Sequence, residues 1–212
     1  PPQLSFEQLC SRVAARTGPV CLLLLDDIGN PHNVGAIMRV AAHFGVAGIV
    51  WTSSHGASLS RSTALYRTAE GGMEHVPLVS APHPITALHR LRQCSIEAVA
   101  TSSHSTVSVA AVHLPARCIL LLGSESTGLR QELLNEAVAT VGISGTGWVE
   151  SLNVACAATA LLAAYRGKHP LATTACTWFR GNVKNPTAGT RVSGRGVSKH
   201  QHEVRAGRRC LP

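Results

Sequence analysis

The sequence has 212 residues, of which 45% are hydrophobic, which accommodates one domain of moderate size with appendages rather than two full domains. The longest apolar run, residues 20–25, is far shorter than the roughly 20 residues that a membrane span requires, and no basic-then-apolar leader opens the chain. These features exclude a membrane-spanning helix and predict a soluble, cytoplasmic protein without a membrane partner.

The formal net charge is +8, and nearly all of it lies near the C-terminal end. Residues 1–170 hold 11 Lys and Arg against 10 Asp and Glu, whereas residues 171–212 hold 8 against 1. The second range shows no apolar periodicity, which predicts a basic tail that is disordered or partly ordered. Such a tail either binds RNA phosphates through counterion release or is a solvated extension without a defined partner.

The seven cysteines and eleven histidines are scattered along the chain. No CxxC pair indicates zinc or redox chemistry, and no two histidines lie four residues apart on a predicted helix as a zinc-protease site requires. We therefore expect no metal. We expect most of the cysteines to be small buried hydrophobic residues in a reducing compartment.

From Val20 onward, short apolar runs alternate with amphipathic stretches, a pattern typical of a parallel sheet covered by helices. The predicted strands, in chain order, span 20–26, 46–51, 75–79, 96–101, 118–122 and 139–143. The predicted helices span 4–16, 34–44, 58–69, 84–93, 129–136 and 151–167. The fold class is therefore α/β, with a mostly parallel sheet flanked by helices. In such a sheet, ligands bind beyond the carboxyl ends of the strands.

The loop after the first predicted strand, residues 26–35, is polar and runs into a helix that bears Arg39. The planar guanidinium of Arg39 suits a phosphate, and Asn33 is placed to cap the helix. The alternative is an ordinary ion pair between Arg39 and Asp26 or Asp27, with Asn33 acting only as a cap. These residues alone favour that alternative.

A second loop, residues 123–128, begins and ends with glycine and carries Glu125 in its middle. The first glycine allows close approach of a ligand to the backbone. A dinucleotide-binding turn has a glycine in place of Glu125, and it also needs an acidic residue about twenty positions later. The chain has residues 144–147, Ser-Gly-Thr-Gly, near that position, so this segment does not predict a dinucleotide site.

A third loop follows the strand that ends at Ile143 and leads through Ser151, Leu152 and Asn153 into a helix of small residues. Small side chains allow the helix to pack closely against neighbouring backbone. Ser151 and Asn153 leave polar groups at the helix N-terminus, where anions are favoured. For either residue alone, helix capping is the simpler interpretation.

Together, the three loops resemble the signature motifs of the SpoU/TrmH branch of the SPOUT methyltransferases. The family motif N-x-G-A-x-x-R is similar to residues 33–39, G-x-E-x-x-G to residues 123–128, and G-x-x-x-S-L-N-V to residues 147–154. The segment 66–77 also resembles the family's linking segment. The resemblance covers residues 20–167, and three motifs in order are far more specific than any one of them.

The resemblance implies an RNA methyltransferase that transfers a methyl group from S-adenosylmethionine to a ribose 2′-hydroxyl of tRNA or rRNA and releases S-adenosylhomocysteine. It also implies a C-terminal deep trefoil knot and a homodimer formed through the knot region. Each active site is then expected to combine Arg39 of one subunit with cofactor held by the other. The expected organisation is a helical segment at 1–18, a methyltransferase domain at 19–168 and a basic tail at 169–212.

The family motifs also imply roles for particular residues. We expect Arg39 to grip the phosphate beside the target ribose and to stabilise the developing alkoxide, because a guanidinium with a pKa above about 12 is a poor base. The other expected active-site residues position Arg39, the loops and the phosphate, and they are Asn33, Glu125, Ser151 and Asn153. The expected cofactor-binding residues are Leu122, Gly123, Ile143, Gly147, Leu152 and Asn153.

The chain departs from the family pattern in its third loop, where the usual Ile-Pro-Met is replaced by residues 143–145, Ile-Ser-Gly. This change predicts a more flexible loop and weaker cofactor binding. Many relatives carry an N-terminal RNA-binding domain, so either the basic tail substitutes for it or the Pro1 start marks a truncation. One alternative function is a catalytically weak or inactive knotted RNA-binding protein. Another, an oxidoreductase or Rossmann-type methyltransferase, predicts a glycine-rich turn at residues 26–31, which is not found.

Overall fold

The computed structural model describes residues 4–52, 62–81 and 83–171. Its centre is a six-stranded sheet in which every strand pair is parallel and the strand order is β3-β2-β1-β5-β4-β6. The strands are β1 Val20–Asp26, β2 Ile49–Thr52, β3 Leu78–Ser80, β4 Glu97–Thr101, β5 Arg117–Leu122 and β6 Ala139–Val141. The expected fold class, a mostly parallel α/β sheet with flanking helices, is confirmed.

Helices cover both faces of the sheet, and each face has its own apolar core. The described helices are α1 Phe6–Ala14, α2 Pro31–His43, α3 Thr63–Ala69, α4 Gly72–His75, α5 Pro84–Gln93, α6 Gln131–Glu136 and α7 Val154–Lys168. Buried residues of α2, α3 and α7 form one core, and buried residues of α1, α5 and α6 form the other. None of these helices is both long and apolar enough to cross a membrane.

Strand β1 is apolar from Val20 to Leu25 because helices cover both of its faces. Alternate side chains point to opposite faces of a strand, so Cys21, Leu23 and Leu25 join the core beneath α2, whereas Leu22 and Leu24 join the core beneath α5. All seven residues of β1 are buried, as expected of a parallel strand that is covered on both faces. The unbroken apolar run is therefore the sequence signature of a central strand.

Helix α2 begins at Pro31 rather than at residue 34. Asn30 is the N-cap, because its side chain accepts a hydrogen bond of 2.9 Å from the backbone N–H of His32, and proline is favoured at the first helical position. The expectation that Asn33 caps this helix is therefore wrong. Asn33 lies inside the helix, which leaves its side chain available for other contacts.

The predicted strand over residues 75–79 is displaced along the chain. The short helix α4 occupies Gly72–His75, and the strand follows it as Leu78–Ser80. Part of the helix predicted over 58–69 lies outside the described residues, and so does most of the predicted basic tail at 169–212.

The strand order of the sheet reverses between β1 and β5. These strands are neighbours in register, with Leu24 beside Leu121 and Leu25 beside Leu122. The chain leaving β1 leads to β2 on one side, whereas the chain leaving β5 leads to β6 on the other side. A crevice at the carboxyl ends of such strands is where open α/β sheets bind ligands. The first and second loops identified in the sequence follow β1 and β5 at this edge of the sheet.

The segment between β4 and β5, residues 102–116, lies against the C-terminal end of α7. The Tyr165 hydroxyl donates a hydrogen bond of 2.6 Å to the Ala116 carbonyl, and Nε2 of His169 lies 2.9 Å from the Leu114 carbonyl. Burial raises the pKa of Tyr165, so the hydroxyl remains a donor at neutral pH. These contacts fix the last helix beside the connection that enters β5.

Candidate active site

One carboxylate oxygen joins all three loops. Oε1 of Glu125, in the second loop, accepts a hydrogen bond of 3.1 Å from the Asn33 side-chain amide and another of 2.9 Å from the Asn153 side-chain amide. The backbone N–H of Val154 donates a third bond of 3.2 Å to the same oxygen. Bonds to an ionised acceptor are stronger than bonds between neutral groups. We call these four residues the Glu125 cluster.

Asn153 serves both the helix and the cluster. Its Oδ1 accepts a hydrogen bond of 2.9 Å from the backbone N–H of Ala155, so it is the N-cap of α7. Its Nδ2 also donates to Oδ1 of Asn33 at 3.1 Å. The charge of Glu125 lies at the N-terminus of this 15-residue helix, where the helix dipole favours an anion. Helix capping and joining of the loops are therefore combined in one side chain.

The second loop depends on a glycine at its start. A Cβ atom at Gly123 would lie 2.2 Å from the carbonyl carbon of Gly128, far inside contact distance. Gly128 has a φ of +68°, in the left-handed region that glycine adopts readily. The Ser124 and Thr127 hydroxyls lie 2.7 Å apart and close the turn. This tight turn sets the position of Glu125.

An ion pair between a buried carboxylate and a half-exposed guanidinium joins the end of β1 to Arg130, two residues after the second loop. Asp26 is 1% exposed, and its Oδ1 and Oδ2 atoms lie 3.1 and 3.0 Å from Nε of Arg130. The Thr52 hydroxyl also donates to Oδ1 of Asp26 at 3.0 Å. Hydrogen bonding to Asp26 raises the pKa of Arg130. The Asp26 carboxylate is therefore paired with Arg130 and not with Arg39.

Arg39 projects from α2 six residues beyond Asn33, which corresponds to about 9 Å along the helix axis. Its side chain is 59% exposed, and Nη1 lies 2.8 Å from Oε1 of Glu70. Among the described residues, Glu70 is the ion-pair partner of the Arg39 guanidinium. A guanidinium has five N–H donors, so most of them are left for a phosphate or another anion. Arg39 does not contact the Glu125 cluster.

The third loop is closely packed at its first residue, Gly142, and is exposed to solvent farther along. A Cβ atom at Gly142 would lie 2.8 Å from the Ser105 carbonyl oxygen, and the Gly142 backbone N–H donates a 2.8 Å bond to Val107. Farther along, the side chain of Trp148 is 90% exposed and that of Leu152 is 47% exposed. The loop therefore presents apolar side chains to solvent near the start of α7.

The remaining predicted site residues lie at the same edge of the sheet, but the hydrogen-bond network does not include them. Leu122 is buried at the end of β5, and Ile143 packs partly buried against the core beneath α2. Gly147, which has a φ of +81°, and Ser151 are both exposed in the third loop. Contacts of these residues with a cofactor or with RNA stay predictions.

Metal ligation has no support among the residues that the structure describes. In that part of the chain, no group of three or more His, Cys, Asp or Glu side chains is arranged to hold a metal ion. A shallow depression of about 360 Å³ lies along α1, on the opposite face of the sheet from α2. Its lining residues are Leu4, Glu7, Gln8, Ser11 and Arg12. This depression is separate from the three loops.

The fold and the three joined loops define an α/β protein whose motif loops meet at the carboxyl edge of a parallel sheet, the edge at which such sheets bind ligands. Residues 21–163 match the SpoU rRNA Methylase family. The chain belongs to this family, which confirms the resemblance inferred from the motifs.

Relatives and solved structures agree with this placement. The uncharacterized tRNA/rRNA methyltransferase YfiF of Escherichia coli O157:H7 is 40% identical over 142 residues, which are 67% of this chain and 40% of the relative. The 23S rRNA (guanosine-2′-O-)-methyltransferase RlmB of Burkholderia sp is 31% identical over 140 residues, which are 66% of this chain and 56% of that protein. The chain thus spans roughly half the length of these two relatives.

A solved structure of the SpoU methyltransferase AviRb from Streptomyces viridochromogenes, in complex with the cofactor AdoMet, has a TM-score of 0.66 to this chain. The two sequences are 28% identical, and the match covers 74% of this chain and 61% of AviRb.

Sequence reasoning missed two charged partners. Glu70 lies in the linking segment, where nothing in the residue spacing indicated a contact with Arg39. Arg130 lies two residues after the second loop, and the available signal was its positive charge together with the acidic end of β1. Both contacts join residues that are far apart in the sequence, so only the folded chain shows them.

Proposed function

We propose that this chain is an S-adenosylmethionine-dependent RNA methyltransferase that methylates a ribose 2′-hydroxyl of tRNA or rRNA. The Glu125 cluster carries the proposal, because it brings the three family motifs to one place at the carboxyl edge of the sheet. The names of the YfiF and RlmB relatives, and the AdoMet complex of AviRb, support the same activity.

The third loop and its neighbours fit S-adenosylmethionine, which has an apolar adenine face together with polar edges. The exposed side chain of Leu152 offers apolar surface. A Cβ atom at Gly145 or Gly147 would have no neighbour within 4 Å, so there is open space beside this part of the loop. The residues proposed to bind the cofactor are Leu122, Gly123, Ile143, Gly147, Leu152 and Asn153.

When bound, S-adenosylmethionine supplies an activated methyl group and leaves as S-adenosylhomocysteine. The proposed role of Arg39 is to hold the phosphate that adjoins the target ribose and to stabilise negative charge on the 2′-oxygen. The hydroxyl proton passes to phosphate or water, because a guanidinium is a poor base. Asn33, Glu125 and Asn153 hold the loops around the reacting groups, and Ser151 is proposed to position the target phosphate.

The C-terminal part of the sheet is proposed to form a deep trefoil knot. The contacts of Tyr165 and His169 with segment 102–116 support this proposal, because they place α7 beside the connection that a knotted chain would pass. Knots are nearly absent from proteins in general, so the proposal also depends on the family.

The proposed domains are a helical segment at 1–18, the methyltransferase domain at 19–168 and a basic, RNA-binding tail at 169–212. The proposed location is the cytoplasm, because the proposed substrates are tRNA and rRNA.

A homodimer through the knot region is part of the proposal. The side chains of Trp148 and Val149 are 90% and 71% exposed, and adjacent apolar side chains of this kind favour burial in an interface. Sedimentation velocity on the full chain tests this point. A Trp148→Glu variant is expected to dissociate, whereas Val138→Glu, which changes another exposed apolar residue, should remain a dimer. A monomeric wild-type chain would contradict the dimer.

Calorimetric titration of the full chain with S-adenosylmethionine tests the proposed function. The expected result is saturable binding of one cofactor per subunit, and Gly123→Ala is expected to abolish it. A chain that binds RNA but no S-adenosylmethionine would instead be a catalytically inactive RNA-binding protein. The retention of Asn33, Arg39 and Glu125 favours the active enzyme.

A further inference from the structure

The ion pair between Arg39 and Glu70 joins the proposed catalytic arginine to a residue outside the three motifs. Nη1 of Arg39 lies 2.8 Å from Oε1 of Glu70, and both side chains are 59% exposed. Glu70 is the C-cap of α3, one residue beyond the last turn of that helix. The position of the carboxylate is therefore set by how α3 and α4 pack against α2.

Two glycines make this packing unusually close. A Cβ atom at Gly35 of α2 would lie 2.7 Å from the Leu65 carbonyl oxygen of α3. A Cβ atom at Gly72 would lie 2.8 Å from the Met38 carbonyl oxygen and 3.1 Å from Cα of Arg39. The backbone on both sides of Glu70 is thus held directly against the turn of α2 that carries Arg39.

The backbone of Glu70 also has an unfavourable conformation. Its φ of +43° and ψ of 52° are left-handed, a region that costs energy for a residue with a Cβ atom. Gly71, the next residue, has a φ of +82°. An exposed ion pair contributes little to stability, so the pair does not offset this strain. Strain that stability does not explain is typical of functional sites.

We propose that Glu70 is a positioning residue that holds the Arg39 guanidinium in the orientation needed for methyl transfer. This inference rests on the proposed function. The carboxylate lies beside Nη1 of the guanidinium and leaves the other N–H donors for the RNA phosphate. An arginine side chain that is ordered before RNA binds loses less conformational entropy in the complex.

Three variants of the full chain test the inference through methyl transfer from S-adenosylmethionine to unmodified RNA transcripts. Glu70→Gln removes the charge at nearly constant size, and kcat is expected to fall about tenfold, with little change in the KM for S-adenosylmethionine. Glu70→Gly is expected to lower kcat similarly while raising Tm, because glycine relieves the left-handed strain. Glu7→Gln is the matched control, since Glu7 pairs with Arg90 on α5, against the opposite face of the sheet.

A lower kcat together with a higher Tm in Glu70→Gly cannot come from a merely structural role of Glu70, because loss of a structural contact would lower both. A kcat of Glu70→Gln equal to or above that of the wild type would overturn the inference, and a rise would mean that Glu70 restrains Arg39 instead. A wild-type chain without methyl transfer would overturn the proposed function itself. NMR relaxation of the Arg39 Nε–H group is independent of activity. Equal mobility of that group in the wild type and in Glu70→Gln would overturn the positioning role.

Discussion

The side-chain amides of Asn33 and Asn153 are joined by a hydrogen bond of 3.1 Å, although 120 residues separate them in the sequence. Each amide also donates to Oε1 of Glu125, at 3.1 Å from Asn33 and 2.9 Å from Asn153. One carboxylate oxygen therefore holds loops that follow three different strands. A change at Glu125 is expected to affect all three loops together.

Replacing Glu125 by Gln removes the charge on the common acceptor and introduces an amide donor among groups that already donate. Hydrogen bonds to a charged group contribute about 1.5 to 3 kcal/mol, so methyl transfer is expected to fall by about 10- to 100-fold. Transfer of labelled methyl groups to RNA measures this loss. Glu97→Gln, at the exposed first residue of β4, is the control and should keep wild-type turnover. Wild-type turnover in Glu125→Gln would contradict the role of the cluster.

The Gly123→Ala substitution tests the tight second loop. Because the added Cβ atom would lie 2.2 Å from the Gly128 carbonyl carbon, the turn must open and displace Glu125. We expect S-adenosylmethionine binding to be lost in calorimetry. Gly167→Ala is the matched control, because the added Cβ atom would have no neighbour within 4 Å and alanine is a better helix former than glycine. Equal cofactor affinity in both variants would show that the turn is dispensable.

Arg130→Met breaks the ion pair at the end of β1 and leaves the Asp26 carboxylate, 1% exposed, without its charged partner. The free energy of unfolding is expected to fall by about 2 kcal/mol, less than for a fully buried pair because water reaches Arg130. Urea denaturation measures this loss. Arg12→Met, at an exposed position in α1, should change stability by less than about 0.5 kcal/mol. A stable Arg130→Met variant would mean that the Thr52 hydroxyl and the backbone N–H of residue 130 satisfy the Asp26 carboxylate without the guanidinium.

Thiol reactivity should depend on burial. Burial raises the pKa of Cys10 from its ordinary value of 9.0 to about 11, so the reactive thiolate is scarce at neutral pH and appears only as the pH approaches that value. Cys156 is exposed on α7. Iodoacetamide at pH about 8 is therefore expected to modify Cys156 quickly and Cys10 only after unfolding. Mass spectrometry of the digested protein measures both, and equally fast modification in the native state would contradict the burial of Cys10.

Several elements followed directly from the sequence. The apolar run of β1 predicted the bounds that the structure has, Val20–Asp26, because a central strand buries both faces. The apolar spacing in α7 likewise predicted a helix whose buried residues include Leu161 and Tyr165. The three motifs predicted which loops matter, and the structure joins Asn33, Glu125 and Asn153 among the residues expected there.

Other features depend on tertiary contacts and were beyond the reach of local patterns. Helix α4 forms where Gly72 packs against Met38, a contact that residue spacing does not encode. The N-cap of α2 lies three residues before the predicted one, because Asn30 and Pro31 start the helix instead of belonging to the polar loop. The partner of Arg39 depends on the left-handed turn at Glu70, which no sequence pattern required.

Methyl transfer to RNA with analysis of the product nucleosides tests the central claim most directly. The full chain is incubated with S-adenosylmethionine carrying a tritiated methyl group and with unmodified tRNA and rRNA transcripts, and the RNA is digested to nucleosides. We predict label in one 2′-O-methylated nucleoside, and a loss of at least about 100-fold for Arg39→Lys, which keeps the charge but not the bidentate fork. Label on a base, or wild-type turnover in Arg39→Lys, would contradict the account.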